Sequence, residues 1–302
     1  MFNCNEGKRV LLNNNTPVIY AAAPFVTLVQ HKMAVKKFKT VLAIAGSDSG
    51  AGAGIQADLK TISACGGYGT TAITALTAQN TLGVFDIHPI PAKHLKSQIE
   101  AVLDDIGTDA VKIGMLHNAE TIHTVVDALT KYQTPNIVVD PVMVATSGDT
   151  LLRMDAITAL KSNLFPLARL ITPNIPECAL LLNTTITETS DLKVSAKKLG
   201  KLYNTSVLLK AGHLNHNFLI DVLYNNENNT LIELPSKKVV TKNTHGTGCT
   251  LSAAIATFLA KGNSLEEAVK EGKLYLEQAI INSTSHTLGK GHGPLHHFYK
   301  FW

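Results

Sequence analysis

The sequence predicts an α/β fold of three layers, α/β/α, built on a mostly parallel central sheet with a peripheral antiparallel hairpin. Three observations predict it. Residues 41–45 (VLAIA) are an apolar run of strand length, followed by a glycine-rich loop at 46–54 (GSDSGAGAG) and by residues 55–62, where Ile55, Leu59 and Ile62 recur at helical spacing. Short apolar strands then alternate with helical segments, the pattern of a buried, largely parallel sheet. Residues 218–224 and 231–234, joined by Asn-rich 225–229, read as a hairpin. An antiparallel pair at that point argues for an open sheet and against a closed (β/α)8 barrel.

The elements follow in order. Strands are expected at 41–45, 68–75, 110–113, 137–139, 170–172 and 207–209, where apolar and β-branched residues cluster in short runs. Helices are expected between them at 55–62, 92–104, 119–132, 154–164 and 190–203, each with apolar helical spacing. Residues 251–260 (LSAAIATFLA) read as a buried helix, and 264–281 as a capped surface helix with Ser264 at its start and Glu266 and Glu267 in its first turn. Residues 1–39 stand apart: an Asn cluster, an apolar stretch broken by Pro24, and a Lys-rich patch. They are read as a flexible extension before a single domain at 40–302, with Met33 as an alternative start.

Composition excludes several classes. Lys+Arg 27 against Asp+Glu 23 leaves a net charge of +4, too small and scattered for a nucleic-acid or acidic-membrane partner. Cys4, Cys65, Cys178 and Cys249 are widely spaced, with no Cys-x-x-Cys pair, which fits a reducing compartment and neither a disulfide frame nor a cysteine zinc site. No apolar run reaches the ~18–20 residues of a membrane span. The expected location is the cytoplasm.

The chemistry is concentrated in two glycine-rich loops. Residues 243–250 (NTHGTGCT) run straight into the 251–260 helix. Such a helix start leaves N–H groups unpaired at the positive end of the helix dipole, which suits a phosphate and the charge that develops in phosphoryl transfer. The alternative is a small-residue helix start with a buried cysteine. The 46–54 loop is neither a Walker loop nor a dinucleotide fingerprint. Two such loops at opposite ends of one alternating chain suggest two ligands meeting in one cleft. Gly46, Asp140, Asn174 and Lys210 all fall at carboxyl ends of expected strands, where ligands of open parallel sheets bind.

Residues 45–61 (AGSDSGAGAGIQADLKT) resemble the opening motif of hydroxymethylpyrimidine/phosphomethylpyrimidine kinases, in the ribokinase-like superfamily. The resemblance continues in order through 74–81, 112–116, 139–143, 172–177, 209–213, 244–250 and 291–294, so it covers nearly all of residues 39–302. It implies ATP as phosphoryl donor, Mg²⁺, and an aminopyrimidine alcohol and its monophosphate as acceptors in thiamine biosynthesis. A pyridoxine or pyridoxal kinase of the same fold, or a catalytically silent binder of such a vitamer, are the alternatives. A homodimer is expected.

The resemblance assigns the acceptor ring to the Gly46 backbone, Asp58 and Gln79, with Met115 and Val142 as apolar walls. An amide offers a paired donor and acceptor to a ring-nitrogen and amine edge. Gln79 as a turn residue, Asp58 as a solvated helix carboxylate, and Met115 and Val142 as plain core are the competing readings. Asn174 and Glu177 form an Asn-x-x-Glu pair implied to place the metal, with Asp140 as a second carboxylate; the same pair is also a capping box. Lys210, Lys242 and Thr247 are candidates for the ATP phosphates. Gly246, Gly248 and Cys249 are the catalytic candidates. Sugar kinases of this superfamily usually carry Asp where this chain has Cys249, which argues for a pyrimidine acceptor. A helix start lowers a thiol pKa, so a thiolate near pKa 7 is expected there as base. His292, His296 and His297 are not expected to bind metal, because adjacent His296 and His297 point apart.

Overall fold

The first strand, β1 (Thr40–Asp48), explains the layering of the molecule. Leu42 and Ile44 bury into one core cluster, and Val41 and Ala43 into another on the opposite face. A strand apolar on both faces must be covered twice, which is why β1 reads as a continuous hydrophobic run and lies inside a sheet. The computed structural model describes residues 37–143, 154–212 and 218–302. Most of the 1–39 extension, with Cys4 and Met33, and His213 lie outside the described residues.

Eight further strands complete the sheet among the described residues: β2 (Tyr68–Asn80), β3 (Gly83–Pro89), β4 (Ala110–Ile113), β5 (Ile137–Val139), β6 (Leu170–Ile171), β7 (Ser206–Leu209), β8 (Phe218–Asn225) and β9 (Thr230–Lys237). Their order is β3-β2-β1-β4-β5-β6-β7-β8-β9. β2, β1, β4, β5, β6 and β7 are parallel, while β3, β8 and β9 pair antiparallel. The chain leaves β1 toward β2 on one side and returns to β4 on the other. That reversal opens a crevice at the carboxyl ends of β1 and β4.

Helices α1 (Gly54–Ala64), α2 (Ala92–Asp105), α3 (Ala119–Lys131), α4 (Met154–Ala159), α5 (Ile175–Leu182), α6 (Thr189–Tyr203), α7 (Thr247–Ala260) and α8 (Leu265–Ser283) cover the sheet. Leu95, Ile99, Ile122, Val125, Cys178 and Leu199 bring α2, α3, α5 and α6 into the cluster under Leu42 and Ile44. Ile62, Leu251, Ile255 and Val269 bring α1, α7 and α8 against Val41 and Ala43. Ser264 and Glu267 form the capping box expected at the start of α8.

Three details depart from the sequence reading. β2 runs to Asn80, and with β3 forms an antiparallel arm that no apolar alternation signals, because most of β3 is exposed. The helix expected over 154–164 gives way after Ala159 to a wider turn at Leu160–Leu164. The short α5 lies between two expected elements, beginning at Ile175 under Asn174.

Candidate active site

Asp48, the last residue of β1, organises the first glycine loop. Its Oδ1 accepts from Gly50 N (2.8 Å), and its Oδ2 accepts from Gly52 N (3.0 Å) and Ala53 N (2.8 Å). His245 Nε2 stands 2.8 Å from the same Oδ2. Burial works to raise the Asp48 carboxyl, but His245 and the backbone N–H groups outweigh it and hold it below its ordinary value. One carboxylate thus ties the loop after β1 to the loop before α7.

The second loop reaches α7 through Gly246, whose φ of 84° is left-handed. A β-carbon there would lie 1.9 Å from Gly52 O, so only glycine fits where the two loops touch. No side chain caps the α7 N-terminus. Thr247 N donates to Thr244 O (3.4 Å) and Thr250 N to Gly246 O (2.9 Å), so the N–H groups of Gly248 and Cys249 between them are the ones left for a ligand. A β-carbon on Gly248 would stand 2.8 Å from Asp140 Oδ2, which places that carboxylate against the start of α7.

Cys249 sits in the first turn of α7 and retains partial exposure. Its thiol does not behave as the sequence suggests. Burial pushes it up to about 11, with nearby Lys112 and the Gly54 N–H opposing and Asp58 and Asp140 adding to the rise. The expectation of a thiolate near pKa 7 is therefore corrected: close packing around the sulfur outweighs the helix terminus.

Beneath Cys249 lies an ion pair that sequence reasoning missed. Lys112 on β4 and Asp58 on α1 are both fully buried, with Nζ 2.7 and 2.8 Å from the two carboxylate oxygens. Only Oδ2 lies at a hydrogen-bonding angle, which leaves Oδ1 without a hydrogen-bond partner. Burial raises the Asp58 carboxyl, to about 6, against the pull of Lys112. Asp58, Cys249 and Asp140 together overcome desolvation and hold the Lys112 ammonium protonated. Asp58 is thus no solvated helix carboxylate.

The strand ends supply the rest. Asp140, after β5, accepts at Oδ1 from Lys210 Nζ (2.9 Å) and Thr172 Oγ1 (3.2 Å). Lys210 follows β7; burial opposes its charge, but Asp140 and Glu177 raise it. Asn174 and Glu177 form the capping box of α5: Glu177 N donates to Asn174 Oδ1 (2.8 Å), and Asn174 N donates to Glu177 Oε2 (2.8 Å). Glu177 Oε1 also accepts from Met143 N (3.1 Å). Burial raises the Glu177 carboxyl, and Asp140 adds to the rise.

On the acceptor side, a β-carbon on Gly46 would stand 2.7 Å from Met115 Cε, so the end of β1 and the residue after β4 share one wall of the crevice. Val142 has φ of 42°, a strained conformation for a β-branched residue, beside Asp140. Gln79 is half-buried at the end of β2, facing His245. The structure thus gathers Gly46, Met115, Asp58, Cys249, Gly248, Asp140 and Lys210 around one crevice. Lys242 is exposed and, among the described residues, forms no ion pair there.

His297 is buried, its Nε2 3.0 Å from Thr250 Oγ1, and burial takes its pKa down to about 4. His296 instead meets His286 edge-on and Trp302 at a tilt. Among the described residues no group of three or more His, Cys, Asp or Glu could hold a metal, and no helix is long and apolar enough to cross a membrane. Asp48, Lys112 and His245 are the site residues missed from sequence. The motif strings GSDSG, KIGM and THGTG contain them, but only the fold brings them together.

Comparison with known proteins agrees with this geometry. The family model described as phosphomethylpyrimidine kinase matches residues 48–296. A hydroxymethylpyrimidine/phosphomethylpyrimidine kinase of Rhizobium meliloti is 48% identical over 262 residues, covering 86% of this chain and 97% of its own. A thiamine biosynthesis bifunctional protein of Geobacter sulfurreducens is 46% identical over 276 residues, 91% of this chain; the chain spans only 56% of that longer relative. Among solved structures, the pyridoxal kinase of Staphylococcus aureus in complex with ADP superposes with a TM-score of 0.81 at 33% identity, over 88% of this chain and 96% of that one. The family match begins at Asp48, which orders the first loop, and ends at His296, beside the residue that braces α7. It therefore spans both halves of the crevice, and the chain belongs to the phosphomethylpyrimidine kinase family, as a kinase of thiamine biosynthesis.

Proposed function

We propose that this crevice carries two successive phosphorylations from ATP. The first acts on the hydroxyl of 4-amino-5-hydroxymethyl-2-methylpyrimidine, and the second on the resulting monophosphate. The observation that carries the proposal is the uncapped α7 N-terminus, set against Cys249 and the Gly46–Met115 wall. Free N–H groups aimed at one point stabilise charge on the transferring phosphoryl group in both steps.

Gly46, Gln79, Met115 and Val142 hold the ring, with Asp58 behind them as the fixed partner of Lys112. Lys210 and Thr247 meet the phosphates, with exposed Lys242 able to swing toward them. Cys249 receives the acceptor proton. In a loose phosphoryl-transfer transition state the nucleophile keeps its proton until late, when the alcohol is already acidified by its bond to phosphorus. The thiolate of Cys249 takes that proton and becomes the thiol; burial makes the thiolate a minor form near neutral pH but a correspondingly strong base.

The residues fit Mg²⁺ of the usual kinase kind, which takes one or two carboxylates and keeps several waters. Asp140 Oδ2, turned toward Gly248, is the open donor and would hold the ion; Glu177, engaged in its capping box with Asn174, would support it as a second carboxylate. Bound there, the ion would neutralise charge across the donor phosphates.

We assign the reaction to residues 40–302, in the cytoplasm, in a homodimer, with residues 1–39 taking no part. The test is transfer from labelled ATP to three acceptors: the pyrimidine alcohol, its monophosphate and pyridoxal. Both pyrimidines become labelled, with kcat/KM at least tenfold above that for pyridoxal. Label on pyridoxal alone would make the protein a pyridoxal kinase, and no label on any acceptor would make it a silent binder.

A further inference from the structure

We propose that Thr77 and His245 lock the side-chain amide of Gln79 in one orientation, and that this lock selects the aminopyrimidine over a pyridoxal-type acceptor. The inference rests on the reading of Gln79 as the residue that meets the acceptor ring.

The backbone of Gln79 is already held. Gln79 lies on the regular side of a register shift in the β2–β3 pairing, where Ala78 faces Asp86, Gln79 faces Val84, and the extra residue, Phe85, belongs to β3. Ser49 Oγ donates to Gln79 O (2.7 Å), and Gln79 N donates to Ser49 Oγ (2.8 Å). What remains free is the half-turn of the amide about its last torsion.

Two neighbours decide that half-turn. Gln79 Oε1 stands 3.1 Å from Thr77 Oγ1, and Gln79 Nε2 stands 3.3 Å from His245 Nε2. Thr77 has one hydroxyl proton, and Ser47 O takes it at 2.9 Å, since a carbonyl can only accept. Toward Gln79 the hydroxyl therefore offers a lone pair, which an amide N–H satisfies and an amide oxygen does not. His245 Nε2 faces Asp48 Oδ2 at 2.8 Å, and that carboxylate already accepts three backbone N–H groups. An ionised carboxylate only accepts, so His245 Nε2 carries a hydrogen and has no lone pair left for Gln79 Nε2.

Both mismatches disappear together when the amide turns over. Its N–H then donates to Thr77 Oγ1, and its oxygen becomes the second acceptor of the His245 Nε2–H. The network assigns this orientation. The locked amide presents one oxygen lone pair and one N–H to the crevice in fixed order. A 4-aminopyrimidine edge, with its amine hydrogen beside a ring nitrogen, complements that order. A 3-hydroxypyridine offers a phenolate oxygen, which the locked carbonyl repels, and an amide free to turn would accommodate it with its NH₂ group. Thr77 and His245 are therefore positioning residues for acceptor choice.

The experiment measures the ratio of kcat/KM for the pyrimidine alcohol to that for pyridoxal, using the inhibition constant of pyridoxal where its turnover is too slow. Thr77→Val lowers the ratio tenfold or more with the ATP KM within twofold of wild type. Thr77→Ser, which keeps the hydroxyl, restores it. His245→Leu lowers it in the same direction, and thermal unfolding checks that this variant is folded. A ratio within twofold of wild type in Thr77→Val, while Gln79→Ala abolishes discrimination, would overturn the lock but leave Gln79 as ring reader. An unchanged ratio in Gln79→Ala would remove that reading, and the lock with it. Equal losses in Thr77→Val and Thr77→Ser would assign the effect to packing and sink the proposal.

Discussion

Replacing Lys112 by Met removes one half of an ion pair whose members are both fully buried. A methionine fills much the same volume, so little of the cost comes from a cavity. It comes from Asp58, left as a carboxylate in an apolar surrounding with Asp140 near by and no cation. Breaking a buried pair from one side costs about 3–5 kcal/mol. For a unit the size of residues 38–302, each kcal/mol moves the melting temperature by about 2 °C, so the loss is about 6–10 °C. The pH dependence carries a definite sign. Asp58 already titrates high, at about 6, with Lys112 in place, and loses its protective partner in the variant. The folded variant then holds a proton that the unfolded chain has released, so its stability falls as pH rises from about 4 through neutrality, by up to ~1.4 kcal/mol per pH unit. Lys112→Met is accordingly more stable at pH 5 than at pH 8. Pairing it with Asp58→Leu removes the stranded charge and recovers most of the loss. Thermal unfolding of wild type, both single variants and the double variant closes the cycle. A loss below ~1 kcal/mol in Lys112→Met, or a double variant no more stable than the single, would refute the reasoning.

Other outcomes test the site. Cys249→Ala lowers phosphorylation of the alcohol by roughly 10²–10⁴-fold but spares the monophosphate, whose acceptor oxygen is already anionic with a second pKa of ~6. Gly248→Val damages both steps, since its β-carbon would meet Asp140 Oδ2 at 2.8 Å; equal losses of both steps in Cys249→Ala would leave the thiol a structural role. With the thiol pushed up to about 11, the alcohol step quickens as pH rises through 7–9 in wild type, and this slope is absent in Cys249→Ala. Glu177→Gln keeps one acceptor oxygen for the capping box but loses the charge and turns its NH₂ toward Met143 N, so it lowers turnover at near wild-type acceptor KM, with a stability loss of about 1–3 kcal/mol read separately by thermal unfolding; a collapse of acceptor affinity at unchanged turnover argues against a metal role. His297 is depressed to about 4, so its folded-state stability is present above ~6.5 and is lost as pH falls toward 4; His297→Phe flattens the unfolding free energy across that window.

The sequence by itself determined the α/β alternation, because strands apolar on both faces and helices apolar on one must stack in layers. The expected strands at 110–113 and 137–139 coincide with β4 and β5. It also determined the two glycine loops and the Asn174–Glu177 cap, since these depend on residues near one another in the chain. The β3 arm escaped it, because a largely exposed edge strand leaves no apolar period to read. Tertiary structure alone decided what crosses the chain. Asp58 meets Lys112 from 54 residues away, and Asp48 meets His245 from 197. It also decided the ionisation of Cys249. A helix start favours the thiolate as a local effect, but desolvation depends on everything packed around the sulfur, including α1, β4 and the end of β5. Contacts distant in sequence carry no local signature, so they become visible only once the sheet has brought its strand ends together.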